Sequence, residues 1–353
     1  MTERDAWLAL GFAPDLGRAA ARAAVAAAGS AAAAAARDDG RSARALELAH
    51  AEEKRAELAG FRLVTLADPD YPELLARSSD PPPVLWVHGQ AARLAAPAVA
   101  VVGARHASVA GQAAARSLGR GLAEAGVLVV SGLARGIDAA AHEGALDAPG
   151  RTAAVLGSSL DRVYPWSHRG LARRVAQSAA VLSEYPLGTD PRPYHFPERN
   201  RIIAGLVQAV IVVEAKERSG ALITARLATE EGRDVLAIPG SPWDELHAGT
   251  NRLIQEGAAL VQRLDDVLTE LGLTRVAAAA PQPDAELSDE EKRVLQSLSP
   301  SEPRAASDVA ATTGLAAAEV LAALTTLELT RLVASGPAGG YLALRRAATW
   351  PIS

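Results

Sequence analysis

Two uninterrupted apolar runs, Val99–Val102 and Val127–Val130, stand in the middle of the chain, each followed by a glycine-bearing turn and an alanine-rich helical segment. A strand buried on both faces of a parallel sheet reads as such a run rather than as an alternation. Thr152–Leu156, Ala180–Leu182, Ala209–Val213 and Val235–Ile238 continue the series, alternating with helical stretches as far as about Leu271. That order predicts βαβ units, an α/β class and a mostly parallel sheet. Val84–Val87, after Pro81-Pro82-Pro83, is expected as an edge strand.

Outside this region the pattern changes. Residues up to about Phe61 are helical and alanine-rich, with breaks expected at Gly11–Pro14, Gly29-Ser30 and Asp38–Gly40. This segment reads as a small helical domain of the SAM or helix-hairpin-helix kind, although the hairpin's glycine pattern is not clear in it. Val276–Glu286 has the composition of a linker. Beyond it, Asp289–Leu298, Ala305–Thr312 and Ala316–Leu327 read as short helices, with a hairpin of Leu332-Val333 and Tyr341–Leu344 around Gly336–Gly340. That order is a winged helix. The expected division is a helical domain (1–62), an α/β domain (63–272), a linker (273–286) and a winged helix (287–346). The third helix of the last unit, Ala316–Glu328, carries no basic residue, so a packing or protein-contact role is expected of it rather than major-groove reading.

Composition narrows the function. A chain of 353 residues with 49% hydrophobic content can fill two or three cores. The absence of cysteine excludes disulfides and thiolate metal sites. No apolar run approaches a membrane span, and MTERDAWLAL carries charge where a signal peptide needs an apolar core, so a cytoplasmic protein is expected. A net charge of −5 disfavours a general polyanion binder but leaves room for a local basic strip. Lysine occurs only at positions 54, 216 and 292, which makes arginine the default cation and a lone arginine uninformative.

Candidate chemistry collects on the loops after the strands, where open α/β sheets bind ligands. Gly103-Ala104-Arg105 opens a turn that either holds phosphate or simply leaves the arginine facing solvent. Ser131-Gly132-Leu133-Ala134-Arg135-Gly136 adds a hydroxyl donor and two glycines, with Asp138 as an organiser of the following helix. Pro191–Pro197 is expected to hold an extended loop that delivers Phe196, Arg199, Asn200 and Arg201 to the start of a helix at Ile202. An aromatic beside cations suits an unpaired base and its phosphates; the alternative is a core phenylalanine beside a surface ion pair. Ser219-Gly220 and Thr224 begin another helix after a strand. No dinucleotide fingerprint, nucleophile elbow, Walker loop or metal-spaced histidine pair is visible. No catalytic residue, cofactor or metal is therefore expected, and Glu184 and Glu214 are the carboxylates to test as acid or base.

The segments VVGAR, SGLARGIDAAAHEGAL, TAAVLGSSLDRVYPWSH, LSEYPLGT, FPERNRIIAGL, VVEAKERSGALITARLA and IPGSPWDELHAGTNRLIQEGA, in this order, resemble the DNA-processing protein A (DprA/Smf) family. The resemblance implies an extended Rossmann-like domain that binds single-stranded DNA without catalysis and commonly dimerises. It also implies delivery of RecA recombinase to incoming strands during natural transformation. The expected DNA contacts are Gly103, Ala104 and Arg105; Ser131, Gly132, Arg135 and Gly136; Phe196, Arg199, Asn200 and Arg201; and Ser219, Gly220 and Thr224. Gly-Ala-Arg stands where Gly-Ser-Arg is commoner, removing one hydroxyl donor, and His106-Ala107-Ser108 replaces an Asn-Pro continuation. Two rivals are a phosphoribohydrolase of the lysine-decarboxylase-like type and a module using its winged helix on duplex DNA. Against the first, Pro239-Gly240-Ser241 is separated from Gly249-Thr250, which such enzymes hold in one motif.

Overall fold

The computed structural model describes residues 1–13, 16–37, 41–95, 97–273, 287–299, 303–329, 332–335 and 340–343. The chain forms two compact units, Met1–Thr274 and Arg275–Ser353. The expected breaks at Pro14 and Asp38–Gly40, the linker and most of the wing lie outside the described residues.

The larger unit is built on a nine-stranded sheet. Its strands are β1 (Arg62–Thr65), β2 (Val84–Gly89), β3 (Ala98–Val102), β4 (Leu128–Ser131), β5 (Thr152–Val155), β6 (Ala180–Ser183), β7 (Ala209–Val212), β8 (Asp234–Ala237) and β9 (Ala259–Leu260). Their order is β1-β2-β6-β5-β4-β3-β7-β8-β9. β6 through β9 run parallel in that order, while β2 pairs antiparallel with both β1 and β6. The chain leaves β3 in one direction through β4, β5 and β6, then returns to β7 on the other side. Between β3 and β7 the order reverses, and the carboxyl ends of the strands flank a crevice there.

All of β3 to β7 is buried, which accounts for the unbroken apolar runs. Two strands went unseen in the sequence. β1 is a four-residue piece directly after a helix, and β9 has only two residues. Because β1 pairs with β2, the expected edge position of Val84–Val87 is corrected: that strand lies inside the sheet. Its prolines end at Pro83, so none has to donate to either ladder.

Helices Glu3–Phe12, Arg18–Ala28, Ala31–Ala36 and Arg41–Leu58 match the expected breaks; Gly29 closes one in the left-handed region (φ +86°) and Ser30 caps the next. Leu8, Ala49 and Ala56 join Leu63, Trp86 and Leu156 in one apolar cluster. Glu52 is buried there, accepting from the Trp86 indole at 3.1 Å and from the Leu187 amide. The helical segment thus shares its core with the sheet.

In the smaller unit, helices Asp289–Ser297, Ala306–Thr313 and Ala317–Leu329 pack through Val294, Val309, Val320, Leu324 and Leu327, and β10 (Val333–Ser335) pairs antiparallel with β11 (Tyr341–Ala343). Ala318, Glu319, Ala322 and Thr325 of the third helix are exposed, and the helix presents no cation. Among the described residues, no single helix is long and apolar enough to cross a membrane.

One buried group makes stability depend on pH. His142 lies in the helix Ile137–Leu146 with Nδ1 2.7 Å from the Thr152 hydroxyl, which gives its single hydrogen to the Val129 carbonyl. Nδ1 must therefore donate, and Nε2 is left bare with no partner among the described residues. Burial holds this imidazole neutral, its pKa lowered from 6.5 to about 3. Below pH 6.5 the unfolded chain takes up this proton and the folded chain does not, so stability falls with pH by about 1.4 kcal/mol per unit from this site. Denaturant titrations between these pH values should show that slope, and His142→Leu should flatten it; an unchanged slope in the variant would contradict the assignment.

Candidate nucleic-acid interface

The turns after β3 and β4 pack directly on each other. The Ile137 amide donates to the Ala104 carbonyl at 3.2 Å, and the Ala104 amide donates to the Glu214 carbonyl at 2.8 Å. Gly136 has φ +73°, and a Cβ there would lie 2.3 Å from the Ala104 oxygen. At Gly103 a Cβ would meet Ile137 Cγ1 at 2.6 Å. These glycines serve backbone approach between the two turns, which do form one rim.

The rim's turns are already occupied by carboxylates of the protein itself. Glu214, fully buried, accepts from the Ser108 amide at 2.9 Å and from the Ser108 hydroxyl, at the start of the helix Val109–Glu124. The protein's own carboxylate thus fills the place expected for phosphate after Gly103. Asp138 does the same for the second turn, accepting from the Gly132 and Ala134 amides at 3.1 and 3.3 Å. Burial raises the pKa of Asp138 against the opposing pull of Arg199. The expected organiser role of Asp138 matches this geometry.

Gly132 is held from both sides. Its amide meets Asp138, and its carbonyl accepts from Arg199 Nη1 at 2.9 Å; the same nitrogen reaches the Val155 carbonyl at the end of β5. A Cβ on Gly132 would lie 2.5 Å from the guanidinium. Next to it Leu133 adopts φ +57°, the only non-glycine with positive φ among the described residues, and its carbonyl accepts from His168 Nδ1 at 2.9 Å. Such backbone costs about 1–3 kcal/mol and persists only where surroundings impose it.

The segment expected as an extended loop is helical from His195 to Gly205. Pro197 sits in the first turn, where a missing N–H costs nothing. Helical spacing then sorts the four candidate residues. Phe196, Asn200 and Ile203 share one face and line the crevice, and Arg199 lies beneath it. Arg201, about 140° round the helix from Phe196, points away. It pairs with Glu184 and, at 3.0 Å, with Asp80, which the N-terminal segment reinforces through Arg18 and Arg22.

Several of the expected contact residues are thereby engaged inside the protein. Arg199 is 4% exposed and bound to two strand-end carbonyls, so it is an internal clamp; burial lowers its pKa to about 10 and leaves it charged. Arg201 is consumed by its carboxylates. Ser131 is fully buried and donates to the Val101 carbonyl at 2.7 Å. The amide of Ala104 is taken by Glu214. Glu184 and Glu214, the carboxylates singled out for testing, are tied into these same internal networks.

What remains open is a groove of about 630 Å³ lined by Arg105, Tyr164, Arg192, Phe196, Asn200, Ser219 and Thr224, among others. The Arg105 guanidinium lies over the Phe196 ring at 4.9 Å, and the Tyr164 ring stands 5.7 Å from it on a tilted plane. Ser219 caps the helix Gly220–Glu230, and exposed Gly220 accepts through its carbonyl from the Asn200 amide group. Arg135 is exposed beside Ala134, with no ion-pair partner among the described residues. Tyr164 and Arg192 were missed from sequence. The available signal was an aromatic or cation next to proline in a loop after a strand. The arrangement offers ring faces and, in one trough, guanidinium groups without an ion-pair partner among the described residues.

Comparison with known proteins agrees. A family model described as DNA recombination-mediator protein A matches residues 62–272, and a DprA winged helix domain model matches 278–339. The DNA processing protein DprA of Streptococcus pneumoniae is 48% identical over 214 residues, covering 61% of this chain and 76% of that protein. Protein Smf of Escherichia coli is 40% identical over 296 residues, covering 78% and 76%. The X-ray structure of the pneumococcal protein matches with a TM-score of 0.62 at 39% identity, over 76% of this chain and 93% of that one. A Helicobacter pylori DNA processing protein A, studied for its single-stranded DNA binding mode, matches with a TM-score of 0.54 at 30% identity, over 60% and 96%.

Stability measurements separate the two kinds of arginine. Arg199→Lys, which cannot span both carbonyls, should cost about 1–3 kcal/mol in chemical denaturation, and Gly132→Ala should cost a similar amount. Arg105→Ala should stay within about 0.5 kcal/mol of the parent. Equal effects at Arg199 and Arg105 would refute the division.

Proposed function

The chain belongs to the DNA-processing protein A (DprA/Smf) family, and from that membership and the open groove we propose that it binds single-stranded DNA without catalysing a reaction on it. The observation that carries this reading is the half-buried Phe196 ring between Arg105 and Tyr164. A base in a duplex is stacked on both sides, whereas an unpaired base can lie against the ring face. Arg105 and Arg192 take flanking phosphates, with Arg135 at the rim. Asn200, Thr224 and the helix start at Ser219-Gly220 supply polar contacts to the same strand. Gly103, Gly132 and Gly136 act through the backbone they permit.

The strand held in this way is one destined for RecA recombinase during DNA uptake, and the chain works as a homodimer through its α/β domain; family membership supports both. The internal commitment of Glu184 and Glu214 supports the absence of catalysis. Incubation with ATP, nucleoside monophosphates or oligonucleotides, with and without magnesium, should yield no product. Turnover that Glu214→Gln abolishes would overturn this part of the reading.

Binding measurements test the rest. A labelled single strand should bind more tightly than the same sequence as a duplex. Phe196→Ala should weaken binding by about tenfold with little change in salt dependence. Arg105→Ala should lower the slope of log K against log salt by about 0.7. The chain truncated after Leu273 should bind almost as well as the whole, given the cation-free third helix of the winged unit. Equal affinity for duplex and single strand, or a Phe196→Ala variant that binds as the parent does, would refute the reading.

A further inference from the structure

We infer that the loop between β5 and the helix Arg169–Ser178 holds a second nucleotide subsite, where an unpaired base stacks on Trp166 and its phosphate meets Arg169. This rests on the single-strand reading of the groove and extends it beyond the crevice. Trp166 is 66% exposed, and the Arg169 guanidinium lies 3.1 Å over its ring. Stacking occupies the face of the guanidinium, one edge nitrogen donates to the Asp161 carbonyl at 3.4 Å, and the remaining edge donors are left for an anion.

The loop is continuous with the groove. Tyr164, two residues before Trp166, lines the crevice and stands against Phe196. His168, two residues after it, is bonded to the Leu133 carbonyl in the turn that carries Arg135. Two extended residues reach at most about 7 Å, and a strand advances about 3.4 Å per nucleotide when stacked. A strand leaving the crevice past Tyr164 therefore meets Trp166 within about two nucleotides.

Charge selects this aromatic over its rival. Trp243 is 94% exposed in the loop after β8, on the same sheet edge. Asp244 and Glu245 follow it, and the nearby cation Lys216 is paired with Glu245 at 2.9 Å. Around Trp166 the cations are Arg169 and, further along its helix, exposed Arg173 and Arg174. The carboxylates in that neighbourhood, Asp161 and Asp190, each stand 3.9 Å from Arg162.

The test measures binding of the full chain to thymidylates of about 2 and about 12 nucleotides. Trp166→Ala should weaken the longer one by about tenfold and leave the shorter unchanged, while Trp166→Phe retains most of the affinity. Its salt slope should match the parent's, whereas Arg169→Ala should lower the slope by about 0.7 on the longer strand only. Trp243→Ala should bind both lengths as the parent does, and melting temperatures should show every variant folded. If Trp166→Ala binds the longer strand like the parent while Phe196→Ala weakens both lengths, the subsite is refuted and the groove stands. If Phe196→Ala also binds normally, the groove reading falls and this one with it. A loss at Trp243 without one at Trp166 would refute the assigned path.

Discussion

The Gly132 peptide is the point on which the functional edge depends. Asp138 takes its amide and Arg199 takes its carbonyl, and Arg199 also reaches the end of β5. Two opposite charges buried in an apolar sheet edge are costly unless each finds hydrogen bonds; here the backbone of one turn supplies them to both. Only glycine leaves room for the guanidinium at that position. With this peptide fixed, Leu133 is forced into its left-handed conformation, and the turns after β3, β4 and β5 keep their spacing at the crevice.

The consequence is a division among polar groups that the sequence does not distinguish. Glu214, Asp138 and Arg199 neutralise helix starts and strand ends from within, and Arg201, Glu184 and Asp80 tie the N-terminal helices to the sheet. Arg105, Arg135 and Arg192 are left at the surface around the aromatic trough. A chain with net charge −5 thus concentrates unpaired cations where its own carboxylates have been turned inward.

The parallel core was legible because strands buried on both faces leave short runs rich in β-branched residues, bounded by glycine-bearing turns. β9 was not, having only two residues, and β1 was not because only Leu63 and Val64 of its four residues are apolar. In the site, Gly132 and Gly136 read in the sequence as places of close backbone approach, and what approaches them in the structure is the protein itself. Arg201 was misread because the helix begins at His195 rather than Ile202, and a residue on the wrong face of a helix looks equivalent in a linear motif. Ser131 at the end of a strand looks like a ligand donor until its neighbour, the Val101 carbonyl, is known. Tyr164 lies far from Phe196 in sequence, so their contact is a product of topology alone.

The central claim, that a base stacks at Phe196 beside Tyr164 while buried Arg199 holds the floor of the trough, is tested most directly by photocrosslinking. A short single strand carrying a photoreactive uracil, irradiated with the full chain and mapped by mass spectrometry, should attach at Phe196 or Tyr164. Attachment confined to the winged-helix unit, with none in the loops that line the groove, would contradict the account.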